Sequence, residues 1–352
     1  VSRLVVVGPA GSRRPFANNE TLMARPVILF SGQWTDLPLE ELAPQVAEWG
    51  YQGLELACWG DHFEVQRALS EEDYATKKLA LLARSDLAVP VLAAHKVSQA
   101  VCDPIDDRHR DLVPDYVWGD GQPEGVRQRA AEELMATARA AQKLGAGVLT
   151  GFSGSPLWSF VAGYPLAGPN RVADALRDFA ARWHPILDVF QECGLKYAYE
   201  VHPGQLAFDL YSAEQVLDAL DGREEFGFTL DPSHFHWQGI DPAEFIRRFR
   251  ERVYHVHVKD AVVTLNGRNG LLGSYLPYGD SRRGWDFRAP GRGGVDWDAF
   301  VRALNEVGYD GPLSVEFKDA GMDRAYGAEE ACKFVKRLDF EPPPRTDDRA
   351  FR

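Results

Sequence analysis

From Pro26 onward, short apolar runs alternate with longer stretches whose apolar positions recur at helical spacing. Residues 27–31 form the first run. Leu39, Leu42, Ala43, Val46 and Trp49 then repeat at intervals of three and four, and Gly50 closes that helix. Further strand-like runs fall at 54–57, 89–94, 147–150, 196–202, 226–234, 254–260 and 311–318. Between them the spacing predicts helices near 71–86, 127–144, 172–193, from Ser212 through a capping-box pattern, at 241–250, from Asp296, and at 324–338. Eight strand–helix alternations therefore run from residue 26 to residue 340. Most strands lack strict polar–apolar alternation, as expected where both faces are covered. This predicts an α/β fold, a (β/α)8 TIM barrel with long loops after several strands. No Gly-x-Gly-x-x-Gly follows the first strand, which argues against a dinucleotide-binding open sheet.

The pattern divides the chain into an N-terminal extension over 1–24, expected to be disordered, a barrel domain over 25–340 and a Pro-rich charged tail over 341–352. Met23 stands just before the first run and reads as a natural start, with 1–22 as an extension. Three stretches read as long loops: 102–125, rich in Asp, Pro and Gly; 152–169, aromatic and Gly-rich; and the insertion 261–295, with Gly-rich turns, several Arg residues and aromatics. The last reads as a lid or an oligomer contact.

Four of the runs end in groups that bind hard or borderline cations: Glu200, Asp231, His257 and Glu316. In a closed parallel barrel the carboxyl ends of the strands share one face. Three carboxylates and one imidazole at that face suit a divalent cation, with Mn²⁺ or Mg²⁺ favoured by the oxygen-rich set and Co²⁺ or Zn²⁺ as alternatives. The alternative for each residue alone is a salt bridge or a helix cap. His95 ends the third run. His202 lies two residues beyond Glu200 and is expected on the same face of the strand. Either could contact substrate hydroxyls or be a hydrogen-bonded structural histidine. Lys259 lies two residues beyond His257. It is read first as the partner of a carboxylate, with contact to a substrate oxyanion as the alternative. Trp34, Trp59, Phe152 and Trp158 follow strands, where their faces could stack on a bound ligand or pack loops. His62, His109 and His184 are given no role.

Composition narrows the partners. The 352 residues carry a formal net charge of −13, with 45% hydrophobic and 26% charged residues, ordinary for a globular chain. The acidic balance argues against nucleic acid, which is gripped by Lys and Arg. No apolar run approaches the roughly 18 residues of a membrane span. Cys58, Cys102, Cys193 and Cys332 have no metal-binding spacing and are expected as free thiols in a reducing cytoplasm.

The order Glu200, Asp231-Pro-Ser-His234, His255-Val-His257-Val-Lys259-Asp260, Pro290-Gly-Arg-Gly-Gly-Val-Asp-Trp297 and Ser314-Val-Glu316 resembles the xylose isomerase-like TIM-barrel superfamily. That group includes sugar isomerases, ketose 3-epimerases, inosose dehydratases and endonuclease IV. The resemblance covers roughly residues 26–340. It implies one divalent metal held by Glu200, Asp231, His257 and Glu316. It also makes Glu200 and Glu316 the catalytic acid/base pair, places His234 near substrate oxygens and leaves His255 structural. The implied activity is a metal-dependent sugar isomerase or epimerase that abstracts a proton next to a carbonyl. Ketose epimerases carry Arg six residues after the metal histidine, where this chain has Val263. With its long insertion, the pattern looks closer to a branch acting on 3-keto-glycosides, which includes C-glycoside deglycosidase-type lyases. An endonuclease IV-like nuclease would need an Asp-x-His pair after the seventh strand, and residues 261–295 contain none. The partners expected are a small carbohydrate, no nucleic acid and no membrane. The expected assembly is a homo-oligomer, a hetero-oligomer being the alternative.

Overall fold

The computed structural model describes residues 25–340. The expected extension over 1–24 and the tail over 341–352 lie outside them. Eight parallel strands close into a barrel: β1 (Val27–Phe30), β2 (Gly53–Ala57), β3 (Ala88–Ala93), β4 (Val148–Gly151), β5 (Lys196–Glu200), β6 (Phe226–Leu230), β7 (Val253–Val258) and β10 (Leu313–Val315). Their order around the barrel is β1-β10-β7-β6-β5-β4-β3-β2, so β10 closes against β1. This is the (β/α)8 barrel that the alternation predicts.

The strands are buried almost throughout. The helices cover them with apolar faces such as Leu39, Leu42 and Val46, or Trp297, Phe300 and Leu304. Burying one such side chain contributes about 1.5–3 kcal/mol, so this belt between sheet and helices dominates the fold's stability. Gly227 in β6 shows how tight the packing is. A Cβ there would lie 2.5 Å from the Arg252 carbonyl oxygen and 2.3 Å from the Tyr254 ring. All four cysteines are free thiols. Among the described residues no helix is long and apolar enough to cross a membrane.

Several local expectations change. β5 stops at Glu200, and His202 lies in the following loop, where its backbone N–H donates to Ala207 O at 3.2 Å. His95 does not end β3 but opens a short helix, His95–Gln99. The helix expected near 71–86 spans Tyr74–Ala83, and a short helix that was not expected, Val65–Ser70, precedes it. The helix expected from Ser212 spans Leu210–Ala219. Its N-cap is Asp209, whose carboxylate accepts from Ser212 N–H at 2.8 Å. The long helices begin earlier than expected, at Pro123 and Pro169. Each proline sits at the first helical position, where its missing N–H is not needed.

The insertion is more ordered than a lid of turns. β8 (Asp260–Val263) pairs antiparallel with β9 (Trp285–Arg288). Trp285 of this hairpin stacks on Trp237 with centroids 4.5 Å apart and planes 3° from parallel. Part of the arginine content is internal: the Arg283 guanidinium lies 4.4 Å over Tyr278 and 5.1 Å over Trp285. The buried Asp260 carboxylate organises the hairpin's return to the barrel. It accepts from the N–H of Gly291 (3.0 Å), Gly293 (3.1 Å) and Val295 (3.2 Å) and from Trp297 Nε1 (3.0 Å). A Cβ at Gly293 would lie 2.2 Å from Asp260 Oδ1, so the loop needs glycine there to reach the carboxylate. That is the physical content of the Pro290–Trp297 motif.

Candidate metal centre

The strand ends deliver the four expected ligands to one place. Glu200 is the last residue of β5, and Asp231 follows β6 as N-cap of the helix Pro232–His236. His257 is next to last in β7, and Glu316 follows β10. Each offers one ligand atom, and these atoms all lie within 4.8 Å of one another. His257 Nδ1 is 3.7 Å from Glu200 Oε2 and 3.5 Å from Glu316 Oε2. All four side chains are buried.

The chain's other groups show which atoms are already committed. Asp231 Oδ1 accepts from Ser233 N–H at 2.9 Å and from the Ser233 hydroxyl at 2.6 Å, which turns Oδ2 toward the centre. Glu316 Oε1 accepts from Gln33 Nε2 at 2.7 Å. Lys259, itself buried, places Nζ 2.7 Å from Asp231 Oδ2 and 2.5 Å from Glu316 Oε2. Of the two readings the sequence leaves open for Lys259, the geometry takes the ion pair, with two carboxylates at once.

The expected substrate-facing histidines form one wall. His95 Nε2 lies 3.0 Å from Glu200 Oε2, and His234 Nε2 lies 3.3 Å from Glu200 Oε1. His202 does not share a strand face with Glu200. It still reaches the wall from its loop, with its ring centroid 3.9 Å from that of His234. Phe152 packs edge-on against His95 and His202, at 4.8 and 5.2 Å. Trp59 meets His95 at 6.5 Å. Trp158 stands farther out in a cavity of about 390 Å³ that also contains His202, and Trp34 lines a separate one of about 230 Å³. The hairpin closes the opposite side, with Phe287 edge-on to His234 at 5.7 Å.

One residue that the sequence reading passes over underlies the centre. Glu55 in β2 is fully buried in the barrel. It accepts from the Thr150 hydroxyl at 2.5 Å and the Ser314 hydroxyl at 2.7 Å. It also meets His255 Nε2 at 2.8 Å and His257 Nε2 at 3.0 Å. His255 is thus tied to Glu55, in keeping with a structural part. The signal in the sequence was a lone carboxylate inside the apolar run 53–57.

Burial raises the Glu200 carboxyl, but the adjacent His257 imidazole, together with His234 and the hydrogen-bonded His95, overcomes it and holds Glu200 well below the usual carboxylate range. Burial also raises Glu316, and Lys259 outweighs it, so Glu316 is lowered. Asp231 goes the other way. Burial lifts it, Lys259 opposes, and the neighbouring Glu316 and Glu200 carboxylates help bring it to about 6. Burial disfavours the charged His257, but Glu55 and Glu200 on its two sides raise it well above an ordinary imidazole. Burial drives His202 down to about 4 and holds His234 well below its ordinary value, so both rings are neutral near pH 7.

The donor set fits a divalent cation. His257 Nδ1 is buried without a hydrogen-bond partner and points at the carboxylate oxygens, while Glu55 holds the opposite ring nitrogen. A carboxylate behind a metal-binding histidine is the usual arrangement for fixing ring orientation and tautomer. Glu55, His255 and His257 also come within ligand distance of one another. Glu55 is already saturated there by two hydroxyls and two imidazoles, so that cluster is a hydrogen-bond network.

Comparison with known proteins agrees with this fold. An uncharacterised protein of Bacillus subtilis, YfiH, is 26% identical over 215 residues, 54% of this chain and 68% of that protein. An inosose dehydratase of Clostridium perfringens is 28% identical over 127 residues, 36% of this chain and 41% of the enzyme. The chain therefore spans about two thirds of the first relative and less than half of the second. The fold is shared with the 3-keto-D-glucoside 4-epimerase of E. coli, with a TM-score of 0.63 and 14% identity over 89% of this chain and 99% of that one. It is also shared with the zinc-bound IOLI protein, with a TM-score of 0.58 and 18% identity over 89% and 96%. Residues 43–338, most of the chain, match the family model described as the xylose isomerase-like TIM barrel, and the chain belongs to that family.

Proposed function

We propose that this chain is a divalent-cation-dependent enzyme that removes a proton from the carbon next to a carbonyl of a keto-sugar or keto-glycoside, as an isomerase or epimerase. The observation that carries the reading is the convergence of Glu200, Asp231, His257 and Glu316 within 4.8 Å at the carboxyl ends of β5, β6, β7 and β10. Those four residues would hold the cation, with Mn²⁺ or Mg²⁺ favoured by the three carboxylates. When bound, the ion supplies Lewis-acid polarisation of the substrate carbonyl and favours the enediolate.

The chain's own residues supply the proton chemistry. Glu200 and Glu316, both held below the usual carboxylate range, are bases at neutral pH. One takes the proton and the other returns one from the opposite face. Glu316 is oriented by Gln33, and Glu200 by His95 and His234. His202 and His234, neutral and adjacent, present ring nitrogens as donors or acceptors toward substrate hydroxyls. Lys259 offsets part of the negative charge and steadies Asp231 and Glu316.

The similarity to an inosose dehydratase favours a second reading with the same first step. Loss of a β-hydroxyl or a glycosidic oxygen after proton removal would make the enzyme a lyase. The test is solvent-deuterium incorporation into a panel of keto-sugars and 3-keto-glucosides by the Mn²⁺-loaded protein, read by mass spectrometry. Incorporation that disappears in Glu316→Gln is expected. Incorporation with an unchanged carbon skeleton identifies the epimerase, and loss of water or alcohol identifies the lyase. Incision of abasic DNA with no incorporation into any sugar would overturn both.

A further inference from the structure

Beside the metal centre lies the cavity of about 230 Å³, walled by Gln33, Tyr278, Phe287, Phe317 and Lys318. Two of these residues also border the centre. Gln33 donates to Glu316 at 2.7 Å, and the Phe287 ring lies 5.0 Å from the Lys259 ammonium. The cavity and the carboxylates therefore share two bordering residues, and the recess adjoins the place a substrate at the centre would occupy.

Most of the charged groups lining it are already used. Asp286 Oδ2 accepts from Gly279 N–H at 2.7 Å, and Asp319 Oδ2 accepts from Ala289 N–H at 3.0 Å. Arg324 is gripped by both oxygens of Asp36, at 2.8 and 2.6 Å. Lys318 differs. Its ammonium stands 4.6 Å from the Tyr278 ring and 4.6 Å from the Phe287 ring, and among the described residues it has no ion-pair or hydrogen-bond partner. Aromatic faces attract a cation but leave its N–H donors unsatisfied. Gln33 Oε1, in the wall of the same cavity, is likewise buried without a partner. An apolar recess with one uncommitted cation and one uncommitted acceptor is suited to an anionic group flanked by a hydroxyl.

We propose that this cavity recognises a carboxylate substituent of the carbohydrate. Lys318 donates to the carboxylate, and Gln33 Oε1 accepts from a neighbouring hydroxyl. The proposal rests on reading the adjoining centre as a carbohydrate site, and narrows its substrates to acidic sugars of the uronate type. Two features favour a carboxylate over a larger or more charged group. The volume is below the roughly 300 Å³ at which pockets for whole drug-sized ligands begin, so the recess takes one small part of a substrate held at the centre and not a large ligand of its own. One free ammonium balances one monoanion, whereas a phosphate monoester carries about −1.5 to −2 at neutral pH. Arg324, already held by Asp36, is not available to make up the difference.

The experiment is calorimetric titration of the Mn²⁺-loaded full chain and its Lys318→Met and Lys318→Arg variants with D-glucuronate, D-glucose and D-glucose 6-phosphate. A charge-assisted hydrogen bond predicts that the native chain binds D-glucuronate about tenfold more tightly than D-glucose. The preference should vanish in Lys318→Met and persist in Lys318→Arg. Equal binding of the two sugars by the native chain, no saturable binding of either, or an undiminished preference in Lys318→Met overturns the proposal. Tightest binding of the phosphate overturns the carboxylate assignment. Should Lys318→Met not fold, as judged by circular dichroism, Lys318→Gln takes its place. These titrations need no turnover. A carboxylate preference with no deuterium incorporation into any substrate removes the proton-abstraction reading alone, and incorporation without the preference removes the subsite alone.

Discussion

Glu55 Oε2 lies 3.0 Å from His257 Nε2, on the side of the imidazole away from the ligand cluster. The contact decides which ring nitrogen faces the three other ligands, and it joins β2 to β7 across the barrel interior. Glu55→Gln preserves shape but removes the charge and leaves one acceptor oxygen where two hydroxyls and two imidazoles are now held. Removing a carboxylate behind a metal-binding histidine costs about 10–100-fold in metal affinity. We expect a loss of that size for Mn²⁺ by calorimetric titration, with the far-ultraviolet circular dichroism unchanged. Native affinity in the variant would show that Glu55 serves the core and not the centre.

Acid should weaken cation binding, and two groups set the sign. The folded protein raises His257 above its ordinary 6.5. Its contribution to stability is fully present below that unfolded value and is lost as pH climbs through the folded one. Asp231 is raised from 3.8 to about 6. A carboxyl raised by folding costs stability increasingly as pH rises between those two values, and fully above them. On both counts the ion-free centre favours acid. A bound cation needs both groups without protons, so it must displace protons there. Mn²⁺ should therefore raise Tm more at about pH 7.5 than at about pH 5, and the apparent affinity should fall about tenfold per pH unit for each proton displaced. Thermal melts with and without Mn²⁺ at both pH values measure this. A larger shift at the acid pH would contradict the assignment of His257 and Asp231 as ligands.

The barrel and the meeting of four strand ends were legible because each depends on local pattern. Apolar runs mark strands, and polar residues at their ends mark the active face. Glu55 was not legible, because its partners are remote: Thr150, His255, His257 and Ser314 lie 95, 200, 202 and 259 positions away. Nothing near residue 55 shows that an inward glutamate will find two hydroxyls and two imidazoles. The hairpin was partly legible. Trp285, Asp286, Phe287 and Arg288 alternate apolar and polar, as a strand with one face inward should, but the glycines and arginines around them read as irregular loop. The position of His202 was misjudged because apolar character continues through Val201, whereas strand pairing ends at Glu200 and the chain turns at Pro203.

Asp260 gives a prediction about the hairpin. Its carboxylate gathers Gly291, Gly293, Val295 and Trp297, and its Oδ1 also accepts from Ala261 N–H at 2.9 Å. Asp260→Ala would strand these buried donors, each at a cost of about 1–3 kcal/mol before relaxation. The hairpin carries Phe287 into the site, so its loosening should appear as increased proteolysis within 261–295 and a higher KM. Glu200 ends β5 and Glu316 directly follows β10, so both are held by the barrel, and their ability to bind Mn²⁺ should survive. Equal loss of metal binding and hairpin order would mean that Asp260 holds the barrel itself.

Lys259 poses the sharpest test of how the site's charge is balanced. Its ammonium touches the two oxygens, Asp231 Oδ2 and Glu316 Oε2, that also face His257 and Glu200. With Lys259 removed, Asp231, Glu200 and Glu316 would be buried against His257 as their main positive neighbour. Breaking a buried ion pair by deleting one partner costs about 3–5 kcal/mol, because the remaining charge is left uncompensated. Lys259→Met should therefore lower the unfolding free energy of the chelator-treated protein by about that amount. A divalent cation can replace the missing charge on the same oxygens, so saturating Mn²⁺ should recover most of the loss. The variant should also bind Mn²⁺ no more weakly than the native chain, since the ion no longer shares its ligands with an ammonium. Urea unfolding in chelator and in saturating Mn²⁺ separates the cases. If the loss is the same in both, Lys259 is a packing residue of the barrel. If Mn²⁺ binding disappears with the lysine, the ammonium orients the ligand carboxylates instead of standing in for the ion.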